Sequence, residues 1–449
     1  MKKHLIRCGI VHAMTLVTAM CVSLSGWSRQ VSEADAAIVA RSFFADNHRY
    51  RTVSPSAVKD VKLVYKPVAK RFGAASPAEV DYYVFANGVD NAFVIVSGDD
   101  ELKPVVGYSL NGTFDPANIP AQLVGYLDGY SDAVGAVRNG NANAAKETAG
   151  GVAVAPLLSM QWGQDEPYNL LCPTYTQWSD GTLRYCPTGC VATAIAQVMK
   201  YHNYPPKGNG VVTHPKGDLD LSNSLYDWNS MRDTYFNTDY TDQQAKAVAT
   251  LMRDAGYAVH MMYGTEESGA YSFNIAPAMI RNFNYSRDIR YCERSSFSTE
   301  EWTAMIRENL ERGEPVIYGG AGISSAHQFV CDGIDSNDYL HINWGWDGSC
   351  DGYFDMNVLD PLGGYVGGQE KVYFREQNMV VNIRPGDPDA DNTSYNSDML
   401  IYNWNFAPIE SNTNPKREPL KVDMMFRMFT KSNAHGRYYH WNADLYDKD

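Results

Sequence analysis

Beyond its first 24 residues the chain holds no run of about 18 unbroken apolar residues, the length a helix needs to cross a bilayer. No membrane-spanning helix is expected there. A basic block is also missing: Lys and Arg number 38 against 52 Asp and Glu, a net charge of −14. Such a surface repels polyanions, which excludes nucleic acid as a partner. Cysteine is scarce, eight in 449 residues, too few for a scaffold built on disulfides. Three residues separate Cys186 from Cys190, so there is no CxxC pair and structural zinc is not expected. No Walker loop occurs. Gly319-Gly320-Ala321-Gly322 precedes no helix signal and reads as a flexible loop after a strand ending at Tyr318, not as a dinucleotide site. Nothing therefore implies a cofactor or a metal, and no internal repeat is found.

The chain is 44% hydrophobic and 20% charged, an ordinary globular balance. Its 449 residues predict two to four domains, at about 100–200 residues each. The N-terminus carries Lys2, Lys3 and Arg7, then an apolar stretch over 8–24, then Gly26-Trp27-Ser28. A basic start, a short apolar run and small residues near a cut site read as a signal peptide over 1–28, so a secreted or cell-surface location is expected. Cys21 follows Met20, a poor fit to a lipidation box. Six cysteines remain after the signal: Cys172, Cys186, Cys190, Cys292, Cys331 and Cys350.

Residues 30–140 read as a small α+β unit: a helix to about 47, a hairpin over 80–97, a short strand at 104–108 and a helix over 119–137. The stretch 139–152, NGNANAAKETAGGV, has no apolar period and reads as an exposed linker open to proteolytic nicking. A long mixed region follows to about 385, with helices expected over 190–202, 243–255 and 300–312. Strands are expected over 315–318, 328–334, 339–344 and 352–356. Helices followed by strands is the order of an α+β enzyme with two lobes. Residues 386–398 form a second linker, where Asp387, Asp389, Asp391 and Asp398 fall in a calcium-loop register. The Gly and Glu that loop requires are missing, so a solvated acidic linker is expected. Residues 399–449 alternate like strands: Tyr402, Trp404 and Phe406 share one face, and Leu420, Val422, Met424, Phe426 and Met428 another. They read as the start of a C-terminal β-domain, since a sandwich needs about 100 residues.

The segment that carries chemistry is Cys186-Pro187-Thr188-Gly189-Cys190-Val191-Ala192-Thr193-Ala194-Ile195-Ala196-Gln197-Val198-Met199. Gly189 permits a tight turn, and Cys190 then stands in the first turn of a helix, where free N–H groups lower a thiol pKa. On this segment alone a nucleophile and a buried structural cysteine are equal readings. A nucleophilic thiol needs a base and an orienting group. His327, 137 residues on, is preceded by small residues that leave room for a substrate and followed by a strand. Asn343, sixteen residues later, is suited to fix its tautomer, with Trp344 beside it to exclude water. The order Cys, His, Asn is the papain-like order. His341 shares a strand face with Asn343 and is the second candidate for the base; His202 lies on an apolar helix face and reads as structural. Gln164, 26 residues before Cys190 and followed by a turn, resembles the upstream Gln that papain-like enzymes use as an oxyanion donor, although alone it would read as a surface glutamine.

These residues resemble the streptopain family of bacterial secreted cysteine peptidases, interpain-type enzymes included. The resemblance is carried by GQDEPYNLLCP (163–173), TGCVATAIAQVMKYHNYP (188–205), AHQFVCDGID (326–335) and HINWGWDGSCDGYF (341–354), and it runs from about 30 to 385. It implies an α+β, papain-like, two-lobed peptidase domain over 151–385 preceded by an inhibitory α+β propeptide over 29–150, removed autocatalytically. It implies Cys190 as nucleophile, His327 as general base and acid, Asn343 and Trp344 as orienters, Gln164 in the oxyanion hole, and Trp346, Ala326 and Ser325 at the substrate cleft. It further implies peptide substrates, a hydrophobic preference at the second position before the scissile bond, and the protein's own propeptide as inhibitor. Ser325-Ala326 stands where glycines are expected, which predicts a narrower rim. Cys331 and Cys350 read either as a local disulfide or as buried thiols. The other readings are a papain-like amidase or transglutaminase, and a catalytically idle surface-binding protein.

Overall fold

The computed structural model describes residues 29–46, 60–67, 79–88, 91–139, 151–177, 179–321, 326–356, 375–388 and 392, together with three strands nearer the C-terminus. The signal peptide over 1–28, most of the linker 139–152, Ser325, most of the acidic register, and Tyr402, Trp404 and Phe406 lie outside the described residues.

Helix α1 (Glu33–Asp46) begins where the Ser32 hydroxyl accepts the Asp35 N–H at 3.2 Å. It buries Ala36, Ala40 and Phe44, spaced four apart on one face. That face lies on a sheet of β1 (Val61–Tyr65), β2 (Tyr82–Asn87), β3 (Ala92–Ser97) and β4 (Val105–Ser109). The β2–β3 hairpin closes with Asn87 opposite Ala92. Alternation sends Tyr83, Phe85, Val94 and Val96 to α1, and Tyr82, Val84, Phe93 and Ile95 to the second helix, α2 (Ala121–Arg138).

The longer region begins with two small strand pairs, β5 (Thr174–Thr176) with β6 (Leu183–Tyr185) and β7 (Val211–Val212) with β8 (Leu219–Asp220). Its helices are α3 (Cys190–His202), α4 (Asp242–Ala258), α5 (Ile275–Phe283) and α6 (Thr299–Glu311). Capping boxes start two of them, Thr241 with Gln244 and Ser298 with Glu301. The strands are β9 (Arg290–Glu293), β10 (Val316–Ala321), β11 (Ala326–Ile334), β12 (Leu340–Asn343), β13 (Gly352–Phe354) and β14 (Arg375–Val381). A separate antiparallel sheet joins β15 (Ala407–Pro408), β16 (Leu420–Met428) and β17 (Arg437–Leu445).

The two regions share one ten-stranded sheet, in the order β1-β2-β3-β4-β13-β12-β11-β10-β14-β9. The seam is β4 against β13, with Tyr108 opposite Tyr353 and their rings stacked at 5.1 Å. Tyr108 Oη donates to Asp335 at 2.8 Å, Tyr339 Oη donates to the Val105 carbonyl at 2.8 Å, and Lys103 pairs with Asp355 at 3.1 Å. On one face Ile317, Val330 and Val380 pack on α3, α4 and α5. On the other Tyr318, Phe329, Cys331 and Met379 pack on α2 and α6.

One expectation changes, and one open reading is decided. Residues 319–321 are not a loop but the end of β10, paired with β11 through Gly319 opposite Gln328. Glycine is required there because a Cβ would fall 2.3 Å from Gln328 Oε1. Cys331 and Cys350 are buried free thiols, not a disulfide, and Cys350 Sγ contacts the Thr113 carbonyl at 3.5 Å. Helix α5 and strands β1, β9 and β14 had no clear sequence signal. Helix α5 carries Pro277 in its first turn, where a missing N–H costs nothing.

Candidate active site

Gly189 caps α3 at φ +85° and ψ 144°, a region open essentially only to glycine. A Cβ there would lie 2.7 Å from the Ser268 carbonyl and 2.8 Å from Met261 Sδ. The turn is braced by Thr193 Oγ1 donating to the Gly189 carbonyl at 3.1 Å and by a hydroxyl pair, Thr188 with Thr193, at 2.9 Å. Cys190 is thereby the first residue of α3, half-buried. The backbone N–H groups of Gln328, Val191 and Cys190 itself bear on its thiol electrostatically. Those donors pull the thiol pKa down as expected of a helix start, but burial outweighs them and the net shift is upward.

Helix α3 packs against β11, on which His327 lies opposite Gly320 in register. His327 is half-buried, and burial lowers its pKa while the Glu267 carboxylate opposes the shift. Burial thus pushes the thiol and the imidazole in opposite directions, each towards its neutral form. Gln328 itself is locked: Ser272 Oγ donates to its Oε1 at 2.7 Å and its Nε2 donates to Asn378 at 3.2 Å.

Gln164 is half-buried, and its carbonyl accepts the Thr188 N–H at 3.0 Å, which ties its loop two residues from Cys190. Asn343 lies opposite Val330; its Nδ2 donates to the Met160 carbonyl at 2.8 Å and its Oδ1 accepts the Gly345 N–H at 3.0 Å. Trp344 is fully buried among Phe329, Phe354 and Tyr126, with Nε1 donating to the Cys350 carbonyl at 3.1 Å. Its ring is core rather than cleft wall. Trp346 is exposed on the following loop, and Ala326 is exposed at the start of β11. Asp347, beside Trp346, accepts from Tyr168 Oη at 3.2 Å, and burial pushes its carboxyl up to about 6.

The competing histidines are engaged elsewhere. His341 pairs with Asp332 at 2.6 Å; burial alone would lower its pKa, but the carboxylate more than offsets that. His202 Nδ1 lies 3.1 Å from Tyr285 Oη, and burial lowers its pKa to about 4. Gln328 was readable only as the residue after His327. Among the described residues no group of three or more His, Cys, Asp or Glu is placed to hold a metal, and no helix is long and apolar enough to cross a membrane.

Comparison with known proteins bears directly on this arrangement. The model of the peptidase C10 family matches residues 162–354, and that of the Spi protease inhibitor matches 28–134. Streptopain of Streptococcus pyogenes is 32% identical over 387 residues, covering 78% of this chain and 95% of that protein. The chain belongs to the peptidase C10 family. The thiol protease/hemagglutinin PrtT of Porphyromonas gingivalis is also 32% identical, over 80% of this chain but 42% of that longer protein. The structure of a fragment of Prevotella intermedia prointerpain A matches with a TM-score of 0.58 at 32% identity, covering 70% of this chain and 98% of that one. The C10 match embraces Gln164, Cys190, His327 and Asn343, and the inhibitor match embraces α1, β1–β4 and most of α2. The fold is α+β and papain-like, with a propeptide unit joined edge to edge through β4 and β13.

Proposed function

We propose that this C10 peptidase is exported by a signal peptide over 1–28, held latent by its propeptide region, and activated by cleavage within 139–152 to act on peptide substrates outside the cell. Cys190 gives its proton to His327 and attacks the scissile carbonyl carbon. The carbonyl oxygen takes up the negative charge, received by the Gln164 side chain and the Cys190 N–H. His327 then protonates the departing amine, leaving a thioester. Water, giving a proton to His327, attacks the thioester; the carboxylic product leaves and the thiol is restored. Asn343 orients the imidazole, and Trp344 excludes water by filling the core beneath. The observation that supports this reading is the packing of α3, which begins at Cys190, against β11, which carries His327.

The test is intact mass spectrometry of the purified precursor beside Cys190→Ala. The wild type is expected to lose a segment ending within 139–152 while the mutant stays whole. An unchanged wild type, even with reductant and a trace of active peptidase, would overturn the proposal.

A further inference from the structure

The segment that follows the first linker is fastened to the end of β11. Val154 exchanges two backbone bonds with Ile334, its N–H donating at 2.8 Å and its carbonyl accepting at 3.0 Å. Leu157 N–H then donates to the Asp332 carbonyl at 2.9 Å. The next N–H, of Leu158, donates to Oδ2 of the Asp332 carboxylate at 3.0 Å. Two residues on, the Met160 carbonyl accepts Asn343 Nδ2 at 2.8 Å. Strand β11 is shaped for this contact. Cys331 lies opposite Ile342 and Gly333 opposite His341, so Asp332 is an extra residue in the ladder, a bulge that re-aims its side chain. Gly333 lets the segment lie close: a Cβ there would fall 3.0 Å from the Val154 carbonyl oxygen and 3.1 Å from Pro156 N.

Asp332 is fully buried, and a buried carboxylate needs partners. Its oxygens are divided between two segments: Oδ2 takes the Leu158 N–H, and Oδ1 lies 2.6 Å from His341 Nδ1. His341 precedes Asn343 by two residues on β12 and shares its face. Asn343 is thus approached from two sides, through Met160 and along β12, and both routes start at Asp332. The bonds from Asn343 to Met160 and Gly345 leave one amide N–H and one Oδ1 lone pair for the imidazole. Gln164 has separate anchors: its carbonyl accepts the Thr188 N–H at 3.0 Å, and the Trp162 carbonyl accepts the Asp347 N–H at 3.2 Å. We propose that Asp332 is a positioning residue that acts through Asn343, its carboxylate tying Leu158 to His341 and so setting the Met160 carbonyl against the Asn343 amide. This role rests on the assignment of Asn343 as the orienter of His327.

The experiment measures kcat and KM on one fluorogenic peptide, each variant being processed by a tagged active peptidase that is then removed and checked for folding by circular dichroism. Asp332→Ala is expected to lower kcat about tenfold with KM within about twofold, the mark of a misplaced catalytic group. In an Asn343→Ala background the further loss should be under about twofold, because the group being positioned is gone. In a Gln164→Ala background the full loss of about tenfold should recur. Asp332→Asn keeps an oxygen for the Leu158 N–H and an N–H for His341 Nδ1, and should recover most of kcat. Should Asp332→Ala fail to fold, Asp332→Ser, too short to reach both partners, takes its place. Equal losses in all three backgrounds would mean a general loosening and overturn the inference, as would wild-type kcat in the folded Asp332 variant. Asn343→Ala with unaltered kcat overturns the orienter assignment and this inference with it, whereas an impaired Asn343→Ala with additive losses overturns the inference alone.

Discussion

Gly189→Ala tests whether the turn before the nucleophile is as constrained as its geometry indicates. The backbone at φ +85° and ψ 144° costs a non-glycine residue about 1–3 kcal/mol. The added methyl would also lie 2.7 Å from the Ser268 carbonyl, which is backbone and cannot step aside, and 2.8 Å from Met261 Sδ, which has some freedom. Overpacking of this kind costs about 1–3 kcal/mol. The total, about 4 kcal/mol, should lower the melting temperature by on the order of 5–10 °C. Melting is measured in the Cys190→Ala background, which removes the proposed nucleophile and with it self-digestion. Two controls separate the causes. Gly217→Ala faces open space at φ +112°, so it carries backbone strain alone, about 1–2 kcal/mol. Gly135→Ala lies within α2 with open space around it and should stabilise by about 0.5–1 kcal/mol. With Cys190 intact, Gly189→Ala should lose about a hundredfold in kcat/KM, since a thiol displaced by about 1 Å loses its line of attack. A Gly189→Ala protein that melts within about 2 °C of its parent, or no lower than Gly217→Ala, would refute the reasoning.

Two further outcomes are expected. Tyr108→Phe removes the bond to Asp335 at the seam between the two regions, at about 1 kcal/mol; the open fraction of the precursor should rise about fivefold, read as faster propeptide loss. An unaltered processing rate would mean that this bond does not hold the seam closed. His202 is held neutral by burial, its pKa lowered from 6.5 to about 4, so the unfolded chain binds its proton first. Its contribution is therefore complete above pH 6.5 and is lost as pH falls towards 4, by at most about 3 kcal/mol. Denaturant melts at pH 7 and pH 4.5 should show a smaller loss for His202→Gln than for its parent, and equal losses would count against the buried, neutral state.

Local chemistry is written in the sequence. Helix α3 over Cys190–His202 was legible because Val191, Ile195 and Val198 recur on one face and Gly189 precedes them. The β2–β3 hairpin was legible because two β-rich runs flank a short loop containing glycine. Cys190, His327, Asn343 and Gln164 stood out as residue types in the papain-like order, and their roles were assigned from the family resemblance. What the sequence did not hold were facts created by distant segments meeting. Val105–Ser109 has the strand propensity to pair with something, but only folding decides that its partner is Gly352–Phe354, which fuses propeptide and peptidase regions into one sheet. Residues 319–321 looked like a glycine loop because nothing in them shows that the Gln328 side chain will lie across Gly319. The direction of the Cys190 pKa is likewise tertiary: the helix start supplies the donors, but the burial that outweighs them comes from the elements packed around it. Propensity and motif act over a few residues, whereas burial and charge at a site are set by whichever chains the fold brings together.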